Sequence, residues 1–161
     1  MKPFIILICS VLIAYSANAQ NESKYKSLLI YKISEYIVWP SVEGQIQLGA
    51  VGNSDINDML MSFSNKREHM NVVNIDDSGQ LGNCQMVYLP ESQEEQLKLF
   101  RAKVGFNSVL IVSEVKEHIT KGADIVVFTE NRKLKFIVNE KTINQKGMIA
   151  SKKLATLGDS I

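Results

Sequence analysis

Two almost unbroken apolar runs with an amphipathic stretch between them leave few folds open to this chain. Cys84–Leu89 (CQMVYL) and Ser108–Val112 (SVLIV) lack polar–apolar alternation, as strands covered on both faces do. Between them, Ser92–Lys103 turns Leu97 and Phe100, with Val104 beyond, to one side. Glu94, Glu95, Lys98, Arg101 and Lys103 turn to the other, which is helical spacing. Pro90 and Glu91 separate the first strand from the helix.

The neighbouring segments continue the alternation. Gln45–Val51 reads as a strand closed by Gly52-Asn53, and Ser54 is placed to cap a helix over Asp55–Ser64. Met70–Ile75 is a short strand. Asp124–Phe128 and Lys133–Val138 flank a short connection, Thr129-Glu130-Asn131-Arg132, and so predict an antiparallel hairpin. Leu134, Phe136 and Val138 alternate with Lys133, Lys135 and Ile137, giving one core face and one mostly polar face. A turn or short helix from Asn139 to Lys146 ends at Gly147. The expected fold is α/β, a layered sandwich: a mixed sheet, parallel in the centre with an antiparallel C-terminal hairpin at one edge, flanked by helices.

Upstream of the sheet lies Tyr25–Pro40 (YKSLLIYKISEYIVWP). Tyr25, Leu28, Leu29, Ile33, Tyr36 and Ile37 fall at three/four spacing and predict one helical face. Ser23 is placed to cap the helix, and Pro40 ends it by pushing Trp39 out of the helical region. The aromatic end has two readings: rings that seat the helix on the core, or a contact surface formed by some of Tyr31, Tyr36 and Trp39.

Met1–Ala19 has the form of a secretory signal peptide. Lys2 supplies the charge, Phe4–Ala14 the apolar core and Ala17-Asn18-Ala19 the cleavage site. Residues 20–161 are then a single exported domain, expected in a bacterial periplasm. The full chain carries a formal charge of +1, so loss of Lys2 leaves it neutral, without the basic footprint of a nucleic-acid binder. Of two cysteines, only Cys84 survives cleavage, so no disulfide within the chain is expected.

Catalytic chemistry finds no residues to stand on. His69 lies in a charged loop. Glu114 and His118 are four apart but are only two candidate metal ligands. Cys84 opens an apolar strand, where a thiol is inert. No serine sits in a G-x-S-x-G turn. No enzyme, metal or cofactor is therefore expected. Asn53, Ser54 and Glu91 would flank a crevice at the carboxyl ends of the parallel strands, a place for a small ligand.

In chain order, the same residues resemble a family. Tyr31, Ile33, Tyr36, Ile37, Trp39 and Pro40 match the pattern Y-x-[FI]-x-x-[FY]-[IV]-x-W-P. Asn83, Cys84 and Gln85, followed by Met86–Leu89, stand where the family has a G-C-H-hydrophobic strand. Val109–Glu114 fits V-L-T-V-S-[DE]. Gly122, Ile125, Lys133, Leu134, Phe136, Val138 and Asn139 follow the hairpin pattern, and Gly147, Ile149, Ser151, Lys152 and Leu154 resemble the end pattern in looser form. Ile137, Ala150 and Lys153 depart from it. The chain therefore resembles the YfiR-like family of small periplasmic regulators.

That resemblance implies a binding module acting in trans, which represses the periplasmic sensor domain of a membrane signalling protein such as a diguanylate cyclase or histidine kinase. It also leans towards a homodimer. The family's paired cysteines are absent, so a disulfide switch does not carry over. The expected contact surface is Tyr31, Tyr36 and Trp39 with Ile137 of the hairpin. The alternative is a periplasmic small-ligand binder or carrier using the Asn53, Ser54 and Glu91 crevice.

Overall fold

The apolar runs of the sequence form the middle of the sheet. The structure, a computed structural model, describes residues 21–40, 42 and 44–161; the expected leader, Met1–Ala19, lies outside the described residues. The strands are β1 (Ile37–Val38), β2 (Ile46–Val51), β3 (Met70–Ile75), β4 (Met86–Leu89), β5 (Leu110–Ser113), β6 (Ile125–Glu130), β7 (Lys133–Val138), β8 (Ile149–Ala150) and β9 (Asp159–Ser160). The helices are α1 (21–35), α2 (Asp55–Ser64), α3 (Leu97–Val104), α4 (His118–Lys121), α5 (Glu140–Gln145) and α6 (Lys152–Leu157).

The main sheet runs β3-β2-β4-β5-β6-β7-β9. Strands β3 to β6 are parallel, β7 is antiparallel to β6, and the two-residue β9 lies parallel to β7. The mixed sheet expected from the sequence is present. The hairpin is not quite its edge, because the chain's tail adds β9 outside it. A second sheet pairs β1 with β8, Ile37 opposite Ala150 and Val38 opposite Ile149, and Ser151 N–H donating to Tyr36 O at 2.8 Å extends it.

Alternation along each strand divides the core in two. Met86, Tyr88, Leu110 and Val112 face the layer of α1, α2, α5 and α6. Val87, Leu89 and Ile111 face Leu97, Phe100 and Val104 of α3 and Ile119 of α4.

The first helix spans 21–35, so Ser23 lies inside it rather than capping it, and it ends before the strand Ile37–Val38 rather than at Pro40. Two further local expectations change. The helix expected over Ser92–Lys103 begins as a 3-10 stretch, Glu91–Gln96, with non-helical backbone at Gln93 (φ −123°), and only then becomes α3. No side chain caps its start at Pro90.

The second change concerns the face of α1. Its buried residues are Ser27, Ile30, Tyr31, Ile33 and Ser34, whereas Tyr25 is 60% exposed and Leu28 and Leu29 are half-buried. The two serines reach the core because their hydroxyls donate to backbone carbonyls of the same helix, Ser27 to Ser23 O and Ser34 to Tyr31 O, both at 2.7 Å. Small, satisfied side chains let the helix sit close to the sheet and turn Tyr31 inward.

Candidate docking surface on the first helix

The N-terminal half of α1 is clamped over the carboxyl ends of the central strands. Lys26 Nζ donates to Glu114 Oε1 at 2.9 Å and lies 3.2 Å from Glu22. The second oxygen of Glu114 accepts the Glu91 backbone N–H at 3.1 Å. Glu22 accepts the Thr129 hydroxyl at 2.7 Å. Burial pulls the Lys26 pKa down, but the Glu114 and Glu22 carboxylates outweigh it and leave it raised. The Thr129 hydrogen bond holds Glu22 below the usual carboxylate value.

Held in this way, α1 leaves a gap beside the β6–β7 hairpin. The gap is a cavity of about 910 Å³, lined on the helix side by Glu22, Tyr25, Leu28, Leu29 and Lys32 and on the hairpin side by Thr129, Arg132 and Leu134. Lys32 is paired with Glu35 at 2.6 Å. Arg132 is exposed and makes no ion pair among the described residues. It stands in a two-residue turn with left-handed backbone at Asn131 (φ 52°) and Arg132 (φ 61°), the turn that matches the twist of a hairpin.

At the other end of α1 the aromatic residues divide. Tyr31 is 1% exposed, its ring edge-on to His69, with the Arg67 guanidinium 5.2 Å above it. It is a core residue and not part of a surface. Tyr36 and Trp39 are half-buried. Trp39 Nε1–H donates to Ser34 O at 2.9 Å, and Lys153 Nζ stands 5.2 Å over the Tyr36 ring. Beside them the cross-strand pair Val38 and Ile149 is 58% exposed at both residues. Ile137 does not join this group. Being odd-numbered in a strand whose Leu134, Phe136 and Val138 face α1, it points to the opposite side and packs half-buried on the α3–α4 core.

The strand order reverses between the paired strands β2 and β4, and open α/β sheets form a crevice at the carboxyl ends of such strands. There Ser54 Oγ accepts the Asn57 N–H at 3.2 Å and donates to Asn57 Oδ1 at 2.8 Å. Asn57 Nδ2 in turn donates to Gly52 O at 3.0 Å. Asn53 and the Glu91 side chain are exposed. The Gln93 side chain lies over Gly52, where a Cβ would come within 3.0 Å of its amide nitrogen.

The remaining reactive side chains are occupied in the interior. His118 Nδ1 lies 2.7 Å from Ser113 Oγ, at 4% and 0% exposure, so neither meets solvent as a catalytic pair must. Burial, with Lys121 adding to it, pushes the His118 pKa down. Glu114 is engaged with Lys26 and does not join His118. Cys84 is buried, which raises its thiol pKa. Among the described residues, no three His, Cys, Asp or Glu side chains gather as metal ligands, and no helix is long and apolar enough to cross a membrane.

Among these residues, the α1 clamp, the groove and the exposed Val38–Ile149 pair were missed by sequence reasoning. The one available signal was that 25, 28, 29 and 32 share one stripe while 27, 30, 31 and 34 share another.

Solved structures share the architecture. The ABC domain from Streptococcus pneumonia in complex with L-Trp superposes with a TM-score of 0.61 at 8% identity, over 86% of this chain and 59% of that one. A conserved domain protein from Vibrio cholerae O1 biovar eltor str. N16961 gives a TM-score of 0.58 at 9% identity, with the same coverages of 86% and 59%. This chain thus spans under two thirds of each, and at such identities the likeness is one of fold. None of the curated proteins matches the chain. The YfiR/HmsC-like family matches residues 23–159, nearly everything the structure describes, and the chain belongs to that family, one of periplasmic regulators in cyclic-di-GMP signalling.

Proposed function

We propose that the protein is a non-catalytic regulator, exported by cleavage after Ala19 and acting as a single domain over residues 20–161. It binds the periplasmic sensor domain of an inner-membrane signalling protein, a diguanylate cyclase or a histidine kinase, and holds it off. The observation that carries this reading, alongside family membership, is the patch at the end of α1. There the half-buried Tyr36 and Trp39 adjoin Val38 and Ile149, which face each other across two strands and remain 58% exposed. Tyr and Trp side chains at a surface are the anchors that interfaces use, and the exposed Val38–Ile149 pair extends the apolar area beside them. Repression needs only linkage: a protein that binds the off state tenfold better than the on state shifts the receptor by about 1.4 kcal/mol. A signal then acts by weakening that contact. The test is capture of the tagged protein from detergent-solubilised membranes, with chemical cross-linking and mass spectrometry. Recovery of an inner-membrane protein with a periplasmic loop and a cyclase or kinase output supports the reading; recovery of this protein alone opposes it.

A second reading, a small-ligand binder using Asn53, Ser54 and Glu91, draws support from the strand order, which reverses between β2 and β4. A structural neighbour holds L-Trp. A thermal shift with amino acids, sugars or nucleotides supports this reading, and silence across the panel opposes it.

A further inference from the structure

We propose that the groove between α1 and the β6–β7 hairpin receives an amphipathic helix of the partner that carries a carboxylate beside its apolar stripe. The proposal rests on the regulator reading above. A helix that is apolar on one face is explained by one covered side, whereas α1 is apolar on two. Ile30, Tyr31 and Ile33 are in the core, and Tyr25, Leu28 and Leu29 line the groove. The outer residues Tyr25, Leu28, Leu29 and Lys32 stand at i, i+3, i+4 and i+7, the spacing with which one helix meets another. Tyr36 continues that spacing towards the Val38–Ile149 patch. From Tyr25 to Lys32 the stripe runs roughly 10 Å, about two turns of a partner helix.

The occupant meets side chains of α1 and of the hairpin face. A helix, which satisfies its own backbone groups, fits such walls. Charge gives the remaining term. Of the charged residues on the groove wall, Glu22 is paired with Lys26 and Lys32 with Glu35. Arg132, on the same wall, has no such partner among the described residues, although its backbone is held in the left-handed region that glycine favours (φ 61°). A planar guanidinium offers two parallel donors to a carboxylate.

The test places a photo-reactive benzoylphenylalanine at Leu29 in one variant and at Val38 in another, in cells with intact membranes, and maps the cross-linked peptide. The expected result is a cross-link from position 29 to a helix of an inner-membrane protein with apolar residues at three/four spacing and a flanking Asp or Glu. Arg132→Gly should lower its yield at least tenfold without lowering the melting temperature. An unchanged yield in Arg132→Gly overturns the carboxylate assignment. A cross-link from position 29 to a second copy of this chain, or to its own residues 1–20, overturns the proposal. A cross-link from position 38 alone also overturns it but leaves the regulator reading standing. Silence at both positions overturns the two together.

Discussion

Lys26 on the first helix and Glu114 at the end of β5 lie 88 positions apart and meet at 2.9 Å, with their side chains only 15% and 9% exposed. The pair fixes where α1 sits, because Glu114 also accepts the Glu91 N–H from the end of β4. Lys26→Met should cost about 1–3 kcal/mol, since it leaves a largely buried carboxylate with one partner fewer. Urea denaturation of the two proteins measures it, and an unchanged midpoint would show that packing alone holds the helix.

A second buried pair has a different expected signature. Lys146 Nζ donates to Asp124 Oδ2 at 2.6 Å and to Val109 O at 3.0 Å, and the same Asp124 oxygen accepts the Ile111 N–H at 2.7 Å. Asp124→Ala should cost about 3–5 kcal/mol by stranding a buried cation. Adding Lys146→Met should recover part of that loss. Full additivity in a double-mutant cycle would count against coupling.

Stability should fall with acid in the range where histidine titrates. The folded-state pKa of His118 is depressed below its ordinary 6.5, chiefly by burial. The unfolded chain therefore binds the proton more readily, and the contribution is complete above pH 6.5 and lost as pH falls through the depressed folded value. The urea midpoint should drop from pH 7.5 to pH 5, and His118→Gln should flatten that slope.

Arg132→Gly should raise stability by about 1 kcal/mol, because glycine adopts φ 61° without the steric cost borne by arginine. Thermal melts decide this, and a destabilised variant would mean that the guanidinium supports the hairpin.

Tyr31→Ala should cost about 3–5 kcal/mol, the loss of a large side chain that is 1% exposed. Val38→Glu should stay within about 0.5 kcal/mol of wild type, as surface substitutions do, yet loosen capture of a membrane partner. A stable Tyr31→Ala protein would return that residue to the surface.

Much of the layered fold was legible. The strand Lys133–Val138 and the helix Asp55–Ser64 lie where spacing placed them, because alternation and the Ser54 cap are local signals. The orientation of α1 was not. Tyr25, Leu28 and Leu29 match a helical face as well as Ile30, Tyr31 and Ile33 do, and Ser27 and Ser34 look polar until their hydroxyls are seen bonded to their own helix. Ile137 lies in the strand that alternation predicts, but nothing near it in sequence says that the α3–α4 core lies on its side. The Lys26–Glu114 pair and the Val38–Ile149 pair join distant segments, which periodicity does not register.

The small sheet of β1 and β8 joins the segment just after the first helix to one near the tail. A chain that emerges N-terminus first delivers Val38 long before Ile149. The patch is thus incomplete in any partly made chain and is completed only when the last elements fold back onto the first. If the patch is the docking surface proposed above, binding competence reports that residues near both ends of the described fold have come together.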